Sequence, residues 1–352
     1  MKINPGGLPK NYFKFTASTK KVNKLSLMRC TIIIIFIVLS EIIYAQDPEF
    51  SQFYSNPLYL NPALTGTNDL PRMVLNYRNQ WPDHGATYTT YSLSYDQFIK
   101  NKNAAFGLQM MRDQELNNLI LAHSASAFYS YHLQVGFNSF MTFGLQGGIT
   151  LKQFNPRNLV FPSGIDQQYG TVSEWVSDLY SDEQIIYPDF AVGVAGQSEE
   201  YYGGIAVHHL NRPDESITDG DQKGKIPIKT TVHFGAMMHR LHFGLLSRVF
   251  TLSPNLVYQH QGTYKQINAG LYMVEKSFIF GGWLRNNIDV RPDSFIFMAG
   301  LAGQKFRIGY SFDLTLSKLS NYSYGSHEIS LIFSLGRKNE IPVRDKLLIP
   351  VI

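Results

Sequence analysis

From residue 72 onward, apolar and polar residues alternate along the chain. In Arg72–Trp81 the odd positions include Met73, Leu75, Tyr77 and Trp81, and the even ones include Arg72, Asn76, Arg78 and Gln80. Tyr91, Leu93 and Tyr95 alternate with Thr90, Ser92, Ser94 and Asp96. The same pattern runs through Met141–Lys152 and Lys305–Leu314. A period of two puts each set on one face of a strand. The pattern predicts fourteen strands, at about 72–81, 87–97, 104–112, 121–133, 139–153, 186–197, 200–210, 228–239, 249–261, 264–275, 277–285, 293–302, 304–315 and 326–336. Pro254, inside the ninth, predicts a bulge or a later strand start, because proline has no N–H for the ladder.

A soluble sandwich alternates too. Here many runs reach about ten residues, enough to cross a bilayer at a tilt. After residue 45 there is neither a continuous helical pattern nor a fully apolar run. The chain therefore reads as all-β, a transmembrane antiparallel outer-membrane β-barrel of about 14 strands. In such a barrel the apolar face meets lipid and the polar face lines the lumen. Closure hides every strand edge from hydrocarbon.

The connections carry a second signal. Short ones follow even strands: "VGFN" after 133, "SE" after 197, "GQ" after 301. Longer ones follow odd strands, at 112–121, 154–185, 211–227, 286–292 and 316–325. Outer loops are the longer ones in this class, so the phase puts both termini in the periplasm. The expected lumen charges are Arg72, Arg78, Asp96, Lys152, Lys305, Arg307 and Asp313. They either pair and plug a narrow barrel or line an aqueous path. The loop 154–185, with Tyr169, Trp175 and Tyr180, is long enough to cap the barrel, enter it or meet a partner.

Composition agrees with a barrel: 14% aromatic against 16% charged residues. The N-terminus reads differently. Lys20, Lys21, Lys24 and Arg29 precede an apolar run from Thr31 to Ser40, and "IYA" (43–45) ends it before Gln46. This is a signal-peptide pattern over 1–45, and Met28 offers a second start for it. Without that segment 24 basic residues face 26 acidic ones. The basic balance thus belongs to the export signal, and no nucleic-acid partner is implied. Cys30, the single cysteine, precedes the apolar run and leaves with it. The expected organisation is a signal peptide at 1–45, a periplasmic or lumen segment at 46–71, the barrel at 72–336 and a periplasmic tail at 337–352.

No catalytic constellation stands out: the chain has no GxSxG or HExxH, and "GLQGG" (144–148) lacks the following helix of a phosphate loop. His208 and His209 are adjacent on a strand and are expected to point to opposite faces, a poor chelating arrangement. His233, His239 and His242 have no carboxylate near in sequence. Lumen or interface histidines are the expected reading. No enzyme activity, cofactor or metal is expected.

The segment "QDPEFSQFYSNPLYLNPALTGT" (46–67) is too polar for a span and too interrupted by proline for a helix. With "LNYRNQWP" and "YTTYSLSYDQ" behind it, it resembles the PorP/SprF family of type IX secretion system membrane proteins. The matching positions are Gln46, Asp47, Pro48, Phe50, Ser51, Gln52, Phe53, Asn56, Tyr59, Asn61, Pro62, Ala63 and Gly66, then Asn76, Tyr77, Arg78, Gln80 and Trp81 on the first strand. Later matches are "PDF" (188–190), "GGIAVHHLNRP" (203–213), "GGWLRN" (281–286), "GYSFDLTLSKLS" (309–320) and "GSHEISL" (325–331).

The resemblance implies a non-enzymatic barrel in the outer membrane of a Bacteroidota bacterium. It implies a role in secreting or anchoring proteins with C-terminal sorting domains, gliding adhesins included. Implied partners are outer-membrane lipid, other secretion components including the periplasmic ring, and the secreted proteins. A second reading is a diffusion channel for a hydrophobic solute, since fourteen-stranded fatty-acid channels also carry an Asn-Pro-Ala segment before their first strand. Phe50, Phe53, Tyr54, Leu58, Tyr59 and Leu60 need burial, so the segment is expected to lie in the lumen and plug or narrow it.

Overall fold

In the computed structural model, residues 47–68, 70–82, 87–155, 183–216, 224–242, 249–288, 291–303, 305–316 and 324–336 are described. They form one sheet of fifteen segments: β1 Arg72–Gln80, β2 Tyr88–Ile99, β3 Ala104–Glu115, β4 Ile120–Gly136, β5 Ser139–Phe154, β6 Glu183–Gln197, β7 Tyr201–His208, β8 Lys229–Ala236, β9 Met238–His242, β10 Val249–Gln261, β11 Tyr264–Glu275, β12 Phe278–Asn287, β13 Arg291–Ala302, β14 Phe306–Thr315 and β15 Ser326–Ser334. β8 and β9 pair with the same flank of β10, so the segments make fourteen staves. All neighbours are antiparallel. β1 pairs with both β2 and β15, Arg72 lying opposite Asp96 and Ser334, and this closes the sheet into a barrel.

The alternation sorts inside from outside. Arg72, Val74, Asn76 and Arg78 are buried, while Leu75 between them is exposed. Leu93, Leu108, Met110, Tyr129, Phe143 and Leu145 likewise face outward. Such a continuous apolar exterior suits lipid. The closed ladder leaves no edge of unpaired backbone groups within it.

Every predicted strand is present, with local differences. Two expected longer loops are short: 112–121 is a four-residue turn, because Glu115 still pairs with Ile120, and 286–292 shrinks to 288–290, because Asn287 pairs with Arg291. Leu116, Asn117 and Asn118 take positive φ in the first, a conformation asparagine accepts readily. Pro254 does not delay its strand: β10 passes straight through it, opposite Leu271. The irregularity falls beside it instead. The register against β9 shifts between Phe250 and Leu252. The break between β8 and β9 falls at Met237, where the ladder meets Ser253 and Pro254. Lys305 is not a lumen residue, but sits exposed in the turn before β14.

The two mouths differ. Where β1 begins, the connections are short: 100–103, 137–138, 198–200, 243–248, 276–277 and 303–305. Where β1 ends, they include 155–182 and 209–228. These are the near and far mouths below. The signal segment 1–45, most of the loop 154–185, the middle of 211–227 and the tail 337–352 lie outside the described residues.

Candidate functional site

The chain before β1 runs inside the barrel. Every residue from Phe50 to Thr67 is buried except Tyr59, which is half-buried. Three short helical turns carry it: Phe53–Ser55, Pro57–Leu60 and Pro62–Leu64. Pro57 and Pro62 open the second and third, where no backbone N–H is needed. Asn61 caps the third, its side chain accepting from the Ala63 amide at 2.9 Å. A plug without regular pairing must satisfy its polar groups on the wall, and it does so at four levels.

At the near mouth, Gly66 takes φ +66° and donates its amide to Asp96 at 2.7 Å. The Arg72 guanidinium grips the same carboxylate through Nε and Nη2, each at 2.8 Å. The Ser130 hydroxyl donates to the Thr65 carbonyl at 2.8 Å. Higher up, Asn61 donates to the Val194 carbonyl and meets His233 Nε2, both at 3.2 Å. Gly144 and Gly193 let the backbone at 61–63 approach the wall, since a Cβ on either would collide with Pro62–Ala63 or with the Asn61 side chain. Asn56 donates to Ser92 at 3.3 Å and accepts from Gln109 at 2.9 Å.

The centre is a charge-balanced clasp. Arg78 and Arg285 face Asp313 and Glu328, all four side chains buried. Arg78 reaches Asp313 at 3.0 Å and Glu328 at 3.4 Å, and Arg285 reaches Asp313 at 3.1 Å. Ser51 sits among them. Its hydroxyl donates to Asp313 at 2.5 Å and accepts from Arg78 at 2.6 Å and Arg285 at 3.0 Å, while its amide donates to Glu328 at 2.6 Å. Gln52 donates its amide to Glu328 at 3.2 Å and its side-chain nitrogen to the Glu328 carbonyl at 3.1 Å, and accepts from Ser330. Two buried cations face two buried anions, knit by hydroxyl and amide donors that offset the cost of burying charge, while Arg78 Nε and Asp313 Oδ1 have no hydrogen-bond partner among the described residues.

Beside the clasp, along β7 and β10–β13, the lumen is apolar. Phe53 packs on Trp283 at 5.0 Å between ring centroids, and Tyr54 meets Tyr202 edge-on at 5.6 Å. Leu60, Leu64, Val257, Tyr272, Ile296 and Met298 complete this cluster. Phe50 packs edge-on against Tyr59 at 5.3 Å, and the Tyr59 hydroxyl donates to the Pro48 carbonyl at 2.5 Å.

At the far mouth Asp47 is latched. His209 Nε2 lies 2.9 Å from Asp47, and its Nδ1 lies 2.9 Å from Asp189. Lys229 adds a 3.3 Å contact, and Gln261 donates at 3.1 Å. Burial opposes a charge on His209, yet the flanking Asp47 and Asp189 carboxylates raise its pKa to about 10. Burial likewise opposes the Asp47 charge, but His209 and Lys229 hold its pKa well below the usual carboxylate value.

Thus Asp47, Pro48, Phe50, Ser51, Gln52, Phe53, Asn56, Tyr59, Asn61, Pro62 and Gly66 line one strap through the lumen, and Gln46 lies outside the described residues. The first-strand motif divides by phase. Asn76 and Arg78 face the strap, and Asn76 donates to the Ser55 carbonyl at 3.5 Å. Tyr77 faces outward beside Tyr91 at 5.1 Å. Gln80 ends β1, and Trp81, at φ 54°, packs edge-on to Tyr88 at the rim. His208 and His209 do not diverge as expected. β7 ends at His208, and His209 turns inward through a φ of 58°. His233 is a lumen residue, and the side chains of His239 and His242 lie outside the described residues. Arg285, Glu328 and Trp283 escaped the list of site residues. Each is a lone charge or large ring on the inward phase of its strand.

A closed, outward-apolar barrel whose lumen is filled by its own N-terminal strap is an outer-membrane barrel with an internal plug. The profile of the family "Type IX secretion system membrane protein PorP/SprF" matches residues 42–333, and the chain belongs to that family. No curated protein matches it in sequence. Among solved structures it is similar to the TodX deltaS2S3 mutant monoaromatic hydrocarbon channel, at 12% identity and TM-score 0.42 over 78% of this chain and 92% of that one. It is also similar to the Acinetobacter baumannii outer membrane protein Omp33, at 6% identity and TM-score 0.40 over 76% and 100%. A mutant Rh. blastica porin gives 8% identity and TM-score 0.32 over 75% and 98%. At these scores the architecture rests on the strand ladder itself.

Proposed function

We propose that this type IX secretion component works from its surfaces, by protein–protein contact, and not by conducting cargo through its lumen. The observation that carries this is the strap: residues 50–67 occupy the lumen and are bonded to the wall at every level. The loops of the far mouth, including 154–185 and 211–227, meet secreted proteins with C-terminal sorting domains, gliding adhesins among them. The near mouth and the tail 337–352 meet the periplasmic parts of the machine. The longer connections of the far mouth support placing it outside the cell. With the far mouth outside, the chain after β15 lies on the periplasmic side as expected, whereas Asp47 stands at the outer mouth and so departs from the expectation that both termini are periplasmic.

Deleting the gene should trap a client adhesin in the periplasm, and a pull-down from native outer membranes should recover the ring components. Normal surface display of every such client in the deletion strain would refute the reading. The Asn61-Pro62-Ala63 segment is the one feature favouring a hydrophobic-solute channel. That reading requires the strap to leave the lumen, and solute-dependent conductance of the purified protein would support it.

A further inference from the structure

At the far mouth, between the strap and the wall made by β3–β6, lies a cavity of about 120 Å³. At about 30 Å³ per water, that is room for roughly four waters, or for the head of one long side chain. Five carboxylates line it, against Lys152, Lys229 and His209. Three are answered within the protein. His209 bridges Asp47 and Asp189, and Lys152 holds Glu215 at 2.6 Å.

Asp113 and Glu115, on successive inward positions of β3, form no ion pair among the described residues; Lys152, already paired with Glu215, acts on both only at longer range. Among the described residues Asp113 accepts a hydrogen bond from the Thr90 hydroxyl alone, at 2.6 Å. The Glu115 carboxylate makes no hydrogen bond or close ion pair among the described residues. A separate observation points the same way: His208, 7% exposed, lines this cavity, and its Nε2 has no hydrogen-bond partner among the described residues. With its proton on Nδ1, that nitrogen accepts. Among the described residues the cavity therefore offers two carboxylates without a paired cation and one spare acceptor, and a buried acceptor left so is costly.

We propose that this cavity binds a primary ammonium or guanidinium group, whose several N–H donors match those acceptors. The group could come from a free organic amine or from a lysine or arginine side chain of a polypeptide reaching the mouth.

Isothermal titration of the purified full-length protein in detergent at low salt tests this. The probes are butylammonium chloride, N-acetyl-Gly-Lys-Gly amide and the neutral N-acetyl-Gly-Gln-Gly amide. The charged probes should bind saturably and the neutral one should not. Tighter binding of the lysine peptide than of butylammonium marks a polypeptide source, and the reverse marks a free amine. Asp113→Asn/Glu115→Gln should weaken binding about tenfold or more, while heat-dependent gel migration shows the barrel folded. If that pair fails to fold, Glu115→Gln alone, at the less buried site, should still weaken binding. No saturable heat from either charged probe, or unchanged binding by the folded variant, overturns the proposal. So does equal binding of the neutral peptide.

Discussion

Replacing Ser51 with Ala should loosen the strap without opening the barrel. The hydroxyl makes three hydrogen bonds to charged groups, one donated to Asp313 and two accepted from Arg78 and Arg285. Each such bond is worth roughly 1.5–3 kcal/mol. The Arg–Asp contacts survive and relax toward one another, so the net loss is about 2–4 kcal/mol rather than the full sum. That loss falls on local opening of the strap. At 1.4 kcal/mol per tenfold, the open population rises about 30- to 700-fold. Cys30 is the only native cysteine, so with Cys30→Ser a reporter thiol is read alone. Ser55→Cys is buried in the strap, and Ala206→Cys is buried in the wall. Maleimide labelling of the first should accelerate by that factor in Ser51→Ala, and labelling of the second should not. Acceleration below about threefold would show that the clasp does not hold the strap. Equal acceleration at both sites would show that the whole barrel had weakened.

Other perturbations test other levels. Gly193→Val places a side chain against Asn61 and should displace the strap, so planar-bilayer recordings should show conductance steps absent from the wild type. Arg72→Met leaves the buried Asp96 without its partner and should cost about 3–5 kcal/mol. Adding Asp96→Asn should recover much of that, read from the temperature of the folded-to-unfolded gel shift. The far-mouth latch has a defined pH window. The His209 pKa is raised to about 10, so its stabilisation is complete below the unfolded value of about 6.5 and is lost as pH rises through 10. The Asp47 pKa is lowered, so its share holds above about pH 4 and fails in acid. A spin label at residue 48 should be immobile near neutral pH and become mobile above pH 10, whereas in His209→Gln it should be mobile throughout.

The strand plan was legible because lipid and lumen impose a strict period of two. Val74, Asn76 and Arg78 could face only one way once Leu75 and Tyr77 faced the other. The length of the turn at 116–119 was not legible: Asn117 and Asn118 mark a turn, but nothing in Asp113–Glu115 shows that the strand continues to it. The inward turn of His209 was hidden for a related reason: it depends on one positive φ at a strand end, where the alternation stops applying. In the strap, the need to bury Phe50, Phe53, Tyr54, Leu58 and Leu60 could be read directly. The partners could not, because Ser51 meets groups on β1, β12, β14 and β15, and only closure brings these together.

That convergence bears on how the barrel shuts. Arg78 on β1 and Glu328 on β15 are 250 residues apart, and they belong to the β1–β15 pairing that joins the two ends of the sheet, the pairing with the largest loop-closure cost. The strap sits directly before β1 and reaches both sides of this seam, Ser51 and Gln52 bonding Glu328 while Arg78 bonds Ser51. The plug is therefore also a fastener of the first strand to the last. If so, Glu328→Gln and Ser51→Ala should not act independently. Both act on Arg78, Glu328→Gln by removing its charged partner and Ser51→Ala by removing the hydroxyl it donates to, so the double variant should unfold more slowly than the two single effects combined predict, a coupling of about 1 kcal/mol or more. Rates of unfolding in denaturant, followed by the gel shift, measure the cycle. Strict additivity would mean that the strap fills the lumen without fastening the seam.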